Sequence, residues 1–473
     1  MLGGLRRRLA GSRVLLWVCL IIAVNQLGFG IIVPVTPLYA RTFGVSEAAI
    51  GLVVAVYGLG RFLFSAPVGQ AADRFGRKRT IVAGTLLTCA GSLLCGLAGD
   101  FTQLLVFRFI AGIGATTVIT GTQIVVADVA TRENRGRMMS AYQGFFSFAV
   151  GVGPSIGGGV ALLAGPRAPF FVFAVLTVVA GTLALTQLPE TGGRRESIPA
   201  SGATGVPGQG SLPATGPRGR GVPARVPAPP RVRGAGPGSP DPPPVRGPGA
   251  ARGAGLPASP GVVRSLLTNV GFLCVALVTF QHAFTRTGAL FSVVPLMGVE
   301  RIGLDAAAIG VAITSGNLLN LATITLAGVL VDRYGRKPVI VPSCLLSACA
   351  FAGFAYALDY PTFVLSAVLW GVGSALGGSA AAYAADQAPP GGTGVTMGIY
   401  RMLSDAGYVL GPALLGVVAE GAGAQASLLT AAATALAAMV PFALFAPETH
   451  PRARVARPAL APEARGRSEG TPA

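Results

Sequence analysis

Charge is scarce in this 473-residue chain: Asp, Glu, Lys and Arg make up 11% of it, against 52% hydrophobic residues. Soluble globular domains carry about 25% charged residues, so that class is excluded and a bilayer is implied. Acids are scarcer than bases, 18 against 36, for a net charge of +18. Such an excess suits nucleic acid only when the cations gather on one folded face, and here they sort by loop, so no nucleic-acid partner is expected. The six cysteines (Cys19, Cys89, Cys95, Cys274, Cys344, Cys349) fall in apolar stretches without ligand spacing, which argues against a disulfide framework or a structural zinc. Also missing are a Gly-x-x-x-x-Gly-Lys-Ser/Thr loop, a Cys/His metal cluster and a Gly-x-Ser-x-Gly elbow beside a triad. Direct ATP drive, metal chemistry and acyl transfer are set aside, and neither an enzyme nor a cofactor is expected.

Long apolar runs are what the chain has instead. A spanning helix takes about 20 mostly apolar residues. Runs of that kind cover residues 14–38, 47–68, 80–98, 102–127, 137–163 and 168–188, then 266–297, 306–330, 339–358, 362–385, 395–419 and 424–445, twelve in all. The seventh is drawn long enough to include a loop end. The first follows Arg6-Arg7-Arg8 but is longer than a signal-peptide core and lacks a small-residue cleavage site, so it reads as a span. Of the 36 Lys and Arg, 29 fall in alternate loops and termini, 3 (Arg41, Arg167, Arg301) in the opposite loops and 4 within spans. The positive-inside rule then expects a multi-pass plasma-membrane protein with both termini cytoplasmic.

The chain is also internally repeated. Pro37-Leu38 matches Pro295-Leu296, Ile50-Gly51 matches Ile309-Gly310, Gly112 and Gly114 match Gly371 and Gly373, and Gly153-Pro154 matches Gly411-Pro412, always at an offset of 258 or 259. Two homologous six-helix bundles in parallel orientation follow. The expected divisions are a cytoplasmic N-terminus (1–13), a first bundle (14–189), a Gly/Pro/Arg-rich cytoplasmic linker (190–262), a second bundle (263–446) and a cytoplasmic tail (447–473). Linker and tail are too poor in large apolar residues to offset their ordering entropy and are expected to be disordered. Linker arginines near anionic headgroups would each contribute about 1 kcal/mol, and a Pro-rich piece such as Asp241-Pro-Pro-Pro could serve as a polyproline ligand instead.

Between the second and third runs stands Gly69-Gln-Ala-Ala-Asp73-Arg74-Phe-Gly76-Arg77-Lys78-Arg79; 259 positions later comes Gly328-Val-Leu-Val-Asp332-Arg333-Tyr-Gly335-Arg336-Lys337. Both read as short hairpins, their glycines free to take positive φ and their cations kept out of lipid. Both resemble the G-x-x-x-D-R-x-G-R-K/R loop of the major facilitator superfamily. The resemblance implies an all-α, twelve-helix fold of two pseudo-symmetric bundles with a binding site between them. It further implies that the hairpins form a conformational latch, with Asp73 near a helix N-terminus of the other half and Arg77 paired with an acid such as Asp128. The alternative is that the cations only set topology.

Four further groups stand out. Arg108, in Leu104-x-x-x-Arg108-x-x-Ala111-Gly112-x-Gly114, resembles the family's fourth-helix arginine, which implies proton coupling; backbone carbonyls could instead satisfy it structurally. Gly153-Pro154-Ser-Ile-Gly157-Gly158 resembles the Gly-Pro-x-x-Gly-Gly element of proton-driven exporters, the alternative being a packing kink. Asn25, Gln26, Gln281, His282 and Arg286 lie on the first and seventh spans, which face the cavity in the resembled fold. His282 and Arg286, four apart, share a helical face and form either an anion-tolerant wall or ordinary core. Asp405 is the carboxylate placed well inside a span. It faces either Arg401 one turn away or Arg61 across the halves, at matched depth, where protonation would break the bridge. The resemblance thus implies proton-coupled export of a small, partly apolar compound by a monomer, as in the drug:proton antiporter branch. Import or facilitated passage of a metabolite such as a sugar or organic acid is the alternative, and a non-transporting scaffold the remote one.

Overall fold

The structure, a computed structural model, describes residues 2–130, 134–190, 260–389 and 392–449. Most of the expected linker and tail lies outside the described residues. The first half contains α1 (Leu2–Ile32), α2 (Val35–Arg41), α3 (Glu47–Phe75), α4 (Arg77–Leu97), α5 (Phe101–Val129), α6 (Arg135–Ala164) and α7 (Ala168–Gln187). The second opens with α8 (Pro260–Leu267), α9 (Val270–Thr285) and α10 (Val294–Met297). It continues through α11 (Ala306–Tyr334), α12 (Lys337–Tyr356), α13 (Tyr360–Gly377), α14 (Ala380–Asp386) and α15 (Thr393–Phe445). No strand occurs among the described residues.

Ten helices, among the described residues, are long and apolar enough to cross a membrane. The expected twelve differ from this for two physical reasons. In the 53-residue α15, Gly423 takes φ 87°, so two helices meet there in a bend. The expected seventh span begins at Val270, where the Asn269 side chain accepts a hydrogen bond from Phe272 N at 3.0 Å. It runs on to Ile302 through two wide π-turns, Arg286–Val293 and Gly298–Ile302, which divide its α-helical ladder. The first span is likewise broken at Val33-Pro34.

The basic hairpins are tighter than a loop. α3 and α11 continue beyond their apolar runs, so Gly69, Asp73, Arg74, Gly328, Asp332 and Arg333 are helical. Gly76 alone separates α3 from α4, at φ 98°, and Gly335, at φ 102°, ends α11 in the same way. An L side chain at such a φ is strained, so the turn depends on glycine. At the other end of the bundle, called here the far end, polar side chains start the helices. Ser46, Asp100, Asp305 and Asp359 each accept a backbone N–H three residues on, at 3.4, 2.8, 2.7 and 2.9 Å. These four are two pairs related by the repeat.

The halves meet along two seams, α3 with α15 and α6 with α11. Around them lies a continuous apolar cluster that includes Phe29, Tyr57 and Phe173 from the first half and Phe284, Phe291 and Trp370 from the second. Each seam presses a glycine on the carbonyl of a Gly-Pro bend: Gly51 on Pro412, and Gly310 on Pro154. A Cβ at either glycine would overlap that oxygen.

Candidate functional site

Beneath the far-end seams, polar side chains from both halves face inward without the partners burial normally demands. Asn25 is fully buried and neither of its side-chain polar atoms has a hydrogen-bond partner; Gln26 is also buried. Gln281 donates weakly to Thr285 Oγ1 at 3.4 Å while its Oε1 has no partner. His282 Nδ1 lies 3.0 Å from the Val278 carbonyl, to which it donates, and Nε2 is unpartnered. Arg286 rests on the Phe291 ring at 5.5 Å with its Nε unpartnered.

Arg108 is 3% exposed, and its guanidinium lies 4.6 Å from the centre of the Tyr57 ring. No carbonyl takes its Nε, so the backbone-satisfied alternative does not describe it. A desolvated cation over an aromatic face gains about 2 kcal/mol, less than an isolated buried charge costs. Arg108 therefore favours an anion nearby. Phe29, Tyr57 and Arg108 from the first half and Phe291 and Tyr408 from the second enclose a void of about 10 Å³ beside it. A larger cavity, of about 180 Å³, lies in the second half between α9, α13, α14 and α15.

The bridge expected between Arg61 and Asp405 is not formed. Arg61 lies over the Tyr408 ring, 4.9 Å from its centre, and half-buried Asp405 acts on it only from beyond ion-pair distance. The local pair with Arg401 is absent too. Arg401 instead reaches across the halves and donates to Gln123 Oε1 at 3.0 Å. One helical turn separates Arg401 from Asp405, yet the long arginine stem carries its head away toward polar surface.

In the hairpins, Arg77 donates through Nε to Asp128 Oδ2 at 3.0 Å, and its Nη2 lies 2.8 Å from Asp73 Oδ1. Asp73 thus pairs within its own turn, and the expected approach to a helix end of the other half is not made here. The second hairpin repeats the arrangement with Arg336 Nε 3.0 Å from Asp386 Oδ2. Arg74 and Arg333 lie on the neighbouring Phe75 and Tyr334 rings, both at 5.4 Å. The glycines of the Gly-Pro-x-x-Gly-Gly element, in α6, are packing surfaces. Gly153 and Gly157 press on α1 at Gly30 and Ile31, and Gly158 presses on Ala306.

Further contacts escape a reading by motif. Glu190 accepts from Lys78 N at 3.3 Å, and Glu448 accepts from Arg336 N at 3.1 Å and Lys337 N at 2.9 Å. Carboxylates thus sit on the positive ends of α4 and α12. The repeated Pro-Glu-Thr triplet at 189–191 and 447–449 carries that signal. At the far end Arg41 pairs with Glu300 at 2.5 Å, and Glu420 accepts from Ala48 N at 3.2 Å, both across the halves.

Repeated apolar helices around a shared polar interior define a multi-pass membrane protein of the transporter type. The family model described as Major Facilitator Superfamily matches residues 18–316 and 275–468, and the chain belongs to that superfamily, a family of transporters and not of enzymes. It is 32% identical over 164 residues to multidrug resistance protein 1 of Bacillus subtilis (strain 168), covering 35% of this chain and 42% of that protein. With quinolone resistance protein NorA of Staphylococcus aureus (strain MRSA252) it shares 29% identity over 154 residues, 33% of this chain and 39% of NorA. The aligned stretch thus spans about two fifths of these relatives. Among solved structures, a bacterial homologue of the human lysosomal transporter Spinster, inward-facing and occupied, superposes with a TM-score of 0.69 at 15% identity. That match covers 91% of this chain and 96% of the other. The human organic anion transporter MFSD10 gives 0.59 at 19%, covering 91% and 99%. At these identities the likeness is one of fold.

Proposed function

We propose that the protein is a secondary active transporter that exports a small, partly apolar organic compound in exchange for protons, by alternating access. The observation that carries this is the asymmetry between the ends. Arg41–Glu300, Glu420–Ala48 and the two glycine seams join the halves at the far end. At the other end the hairpin ion pairs stay within their own halves, and a single side-chain hydrogen bond described there, Arg401 to Gln123, crosses between them. With the hairpins and both termini cytoplasmic in the plasma membrane, this is a state closed to the outside. The multidrug and quinolone resistance relatives support export as the direction. The proton gradient supplies the energy, Asp405 with Arg61, Arg108 and Arg401 forms the coupling group, and the hairpin residues form the latch. The partners are the substrate, protons and the bilayer, the working unit is a monomer, and neither cofactor nor nucleic acid takes part.

A second reading, import or facilitated passage of a hydroxyl-rich metabolite, draws on the unpartnered amide of Asn25 and the unpartnered amide oxygen of Gln281. Purified protein in liposomes decides between them. An imposed proton gradient should drive accumulation of a lipophilic reporter dye on the outward side, and a protonophore should abolish it. Movement unaffected by the protonophore would overturn proton-coupled export, and no movement of any solute would leave only a scaffold.

A further inference from the structure

The cavity of about 180 Å³ is smaller than drug-sized pockets of roughly 300–1,000 Å³. It has room for one ring and a head group. Its wall joins His282 and Arg286, Trp370 of α13, and Tyr400, Ser404 and Tyr408 of α15. Arg286 opens the π-turn Arg286–Val293, and such turns recur at functional sites because they re-aim side chains out of the helical register. Its Nε is buried and unpartnered, its guanidinium has only the Phe291 face as a neighbour of note, and no carboxylate pairs with it among the described residues.

His282 offers a second unused group. Its Nδ1 proton is committed to the Val278 carbonyl, which fixes the tautomer. Nε2 is left buried and unpartnered, facing Gly377, which has no side chain to cover it. Asp405 neighbours Ser404 in sequence but does not line the cavity. Two basic nitrogen groups, His282 and Arg286, and five hydroxyls, of Thr279, Ser374, Tyr400, Ser404 and Tyr408, therefore surround the space, with aromatic rings beside them and no acid.

We infer that this cavity is an oxyanion subsite, in which Arg286 and the Nε2 edge of His282 hold the carboxylate of an aromatic or similarly apolar organic acid. The inference rests on the transport reading of the same interior and names its substrate class. A guanidinium matches a carboxylate with two parallel N–H donors, and the other carboxylate lone pairs remain for the hydroxyls of Tyr400 and Ser404. The ring of the acid lies along Trp370. A carboxylate meets Nε2 as a donor once the imidazole is protonated, whereas an acid that keeps its proton meets Nε2 as an acceptor. An ammonium group would face Arg286 with no acid to offset the repulsion, so cations are disfavoured here.

The chain has two tryptophans, so Trp17→Phe leaves Trp370 as the sole emitter in the full-length protein. Saturable quenching in nanodiscs is measured with para-nitrobenzoate, para-nitrobenzamide and para-nitrobenzylammonium, which share a ring and differ in head group. The benzoate should bind tightest. Arg286→Gln should weaken it about thirtyfold or more, as expected when one partner of a buried charge pair is removed, while the amide changes by no more than about twofold. Arg286→Lys should keep part of the preference, and Gly377→Ala, which sets a methyl against Nε2, should weaken the benzoate selectively. Arg286→Lys and Gly377→Ala carry the test if Arg286→Gln does not fold. Equal or tighter binding of the ammonium compound overturns the inference, as does benzoate affinity indifferent to Arg286, or no saturable quenching by the benzoate at millimolar concentration. Gradient-driven dye movement is scored on the same preparations. Dye export without carboxylate preference removes the subsite and leaves the transporter; carboxylate preference without gradient-driven movement does the reverse.

Discussion

Arg41 and Glu300 form an ion pair between the halves at the far end, with half-exposed side chains, 49% and 36%. An exposed pair contributes at most about 1 kcal/mol, so it biases closure without enforcing it. Reversing one charge, as in Arg41→Glu, should raise the fraction open at this end about fivefold or less. The swap Arg41→Glu with Glu300→Arg should restore it. Spin-label distances across the far end measure both, and an unchanged distribution in the single variant would remove the pair from the gate.

The glycine seams should matter more. Valine at Gly51 or Gly310 meets the carbonyl of Pro412 or Pro154, and overpacking of this kind costs about 1–3 kcal/mol. Each variant should insert normally yet be held apart along the altered seam, with transport falling well below wild type. Full transport by Gly51→Val would show that the seam separates by itself during the cycle.

Arg61 is held by a ring and not by an acid. Tyr408→Leu removes a cation–π contact worth about 2 kcal/mol when desolvated. A double-mutant cycle should show stronger coupling of Arg61 to Tyr408 than to Asp405 in the stability of this state. Asp405→Asn, by contrast, should abolish gradient-driven transport, since the coupling role proposed for it needs a titrating group. Full gradient-driven transport in Asp405→Asn would remove it from the coupling group.

Asp73→Asn should lower transport while leaving insertion intact, because its partner Arg77 keeps Asp128. Asp386→Asn should be more destabilising. It strips Arg336, which is 19% exposed at the side chain, of its ion-pair partner and Thr449 Oγ1 of its charged acceptor, and hydrogen bonds to charged groups are worth about 1.5–3 kcal/mol. Thermal unfolding of the two purified variants checks the order.

For topology, reporters at Gly99 and Gly303 should appear outside and one at Arg454 inside. An outside signal at Arg454 would invert the orientation and with it the proposed direction of transport.

Hydropathy and the constant repeat offset make the spans legible, and the first hairpin yields Arg77–Asp128 because the resemblance implies an acidic partner, of which Asp128 is an example. Helix ends were less legible. α3 runs to Phe75 and not 68, since hydropathy registers only apolar side chains, while a backbone ladder continues wherever long cations can reach water. The π-turns after Thr285 leave no periodic trace in so uniformly apolar a stretch. Arg401 was read beside Asp405 by spacing alone, but Gln123, its acceptor, is 278 positions away in sequence. Arg41 reads only as a loop cation, and nothing in the sequence marks Glu300 as its partner, for the same reason: each half's sequence is silent about what faces it.

The paired contacts of Gly51 with Pro412 and Gly310 with Pro154 are one interface used twice. Each half gives a flat surface to one seam and a bent one to the other, as in an isologous homodimer whose two subunits have been fused. A lesion in one copy therefore wedges one side and leaves its twin able to shut. The result is a skewed molecule, not an open one, with leakage confined to the injured side.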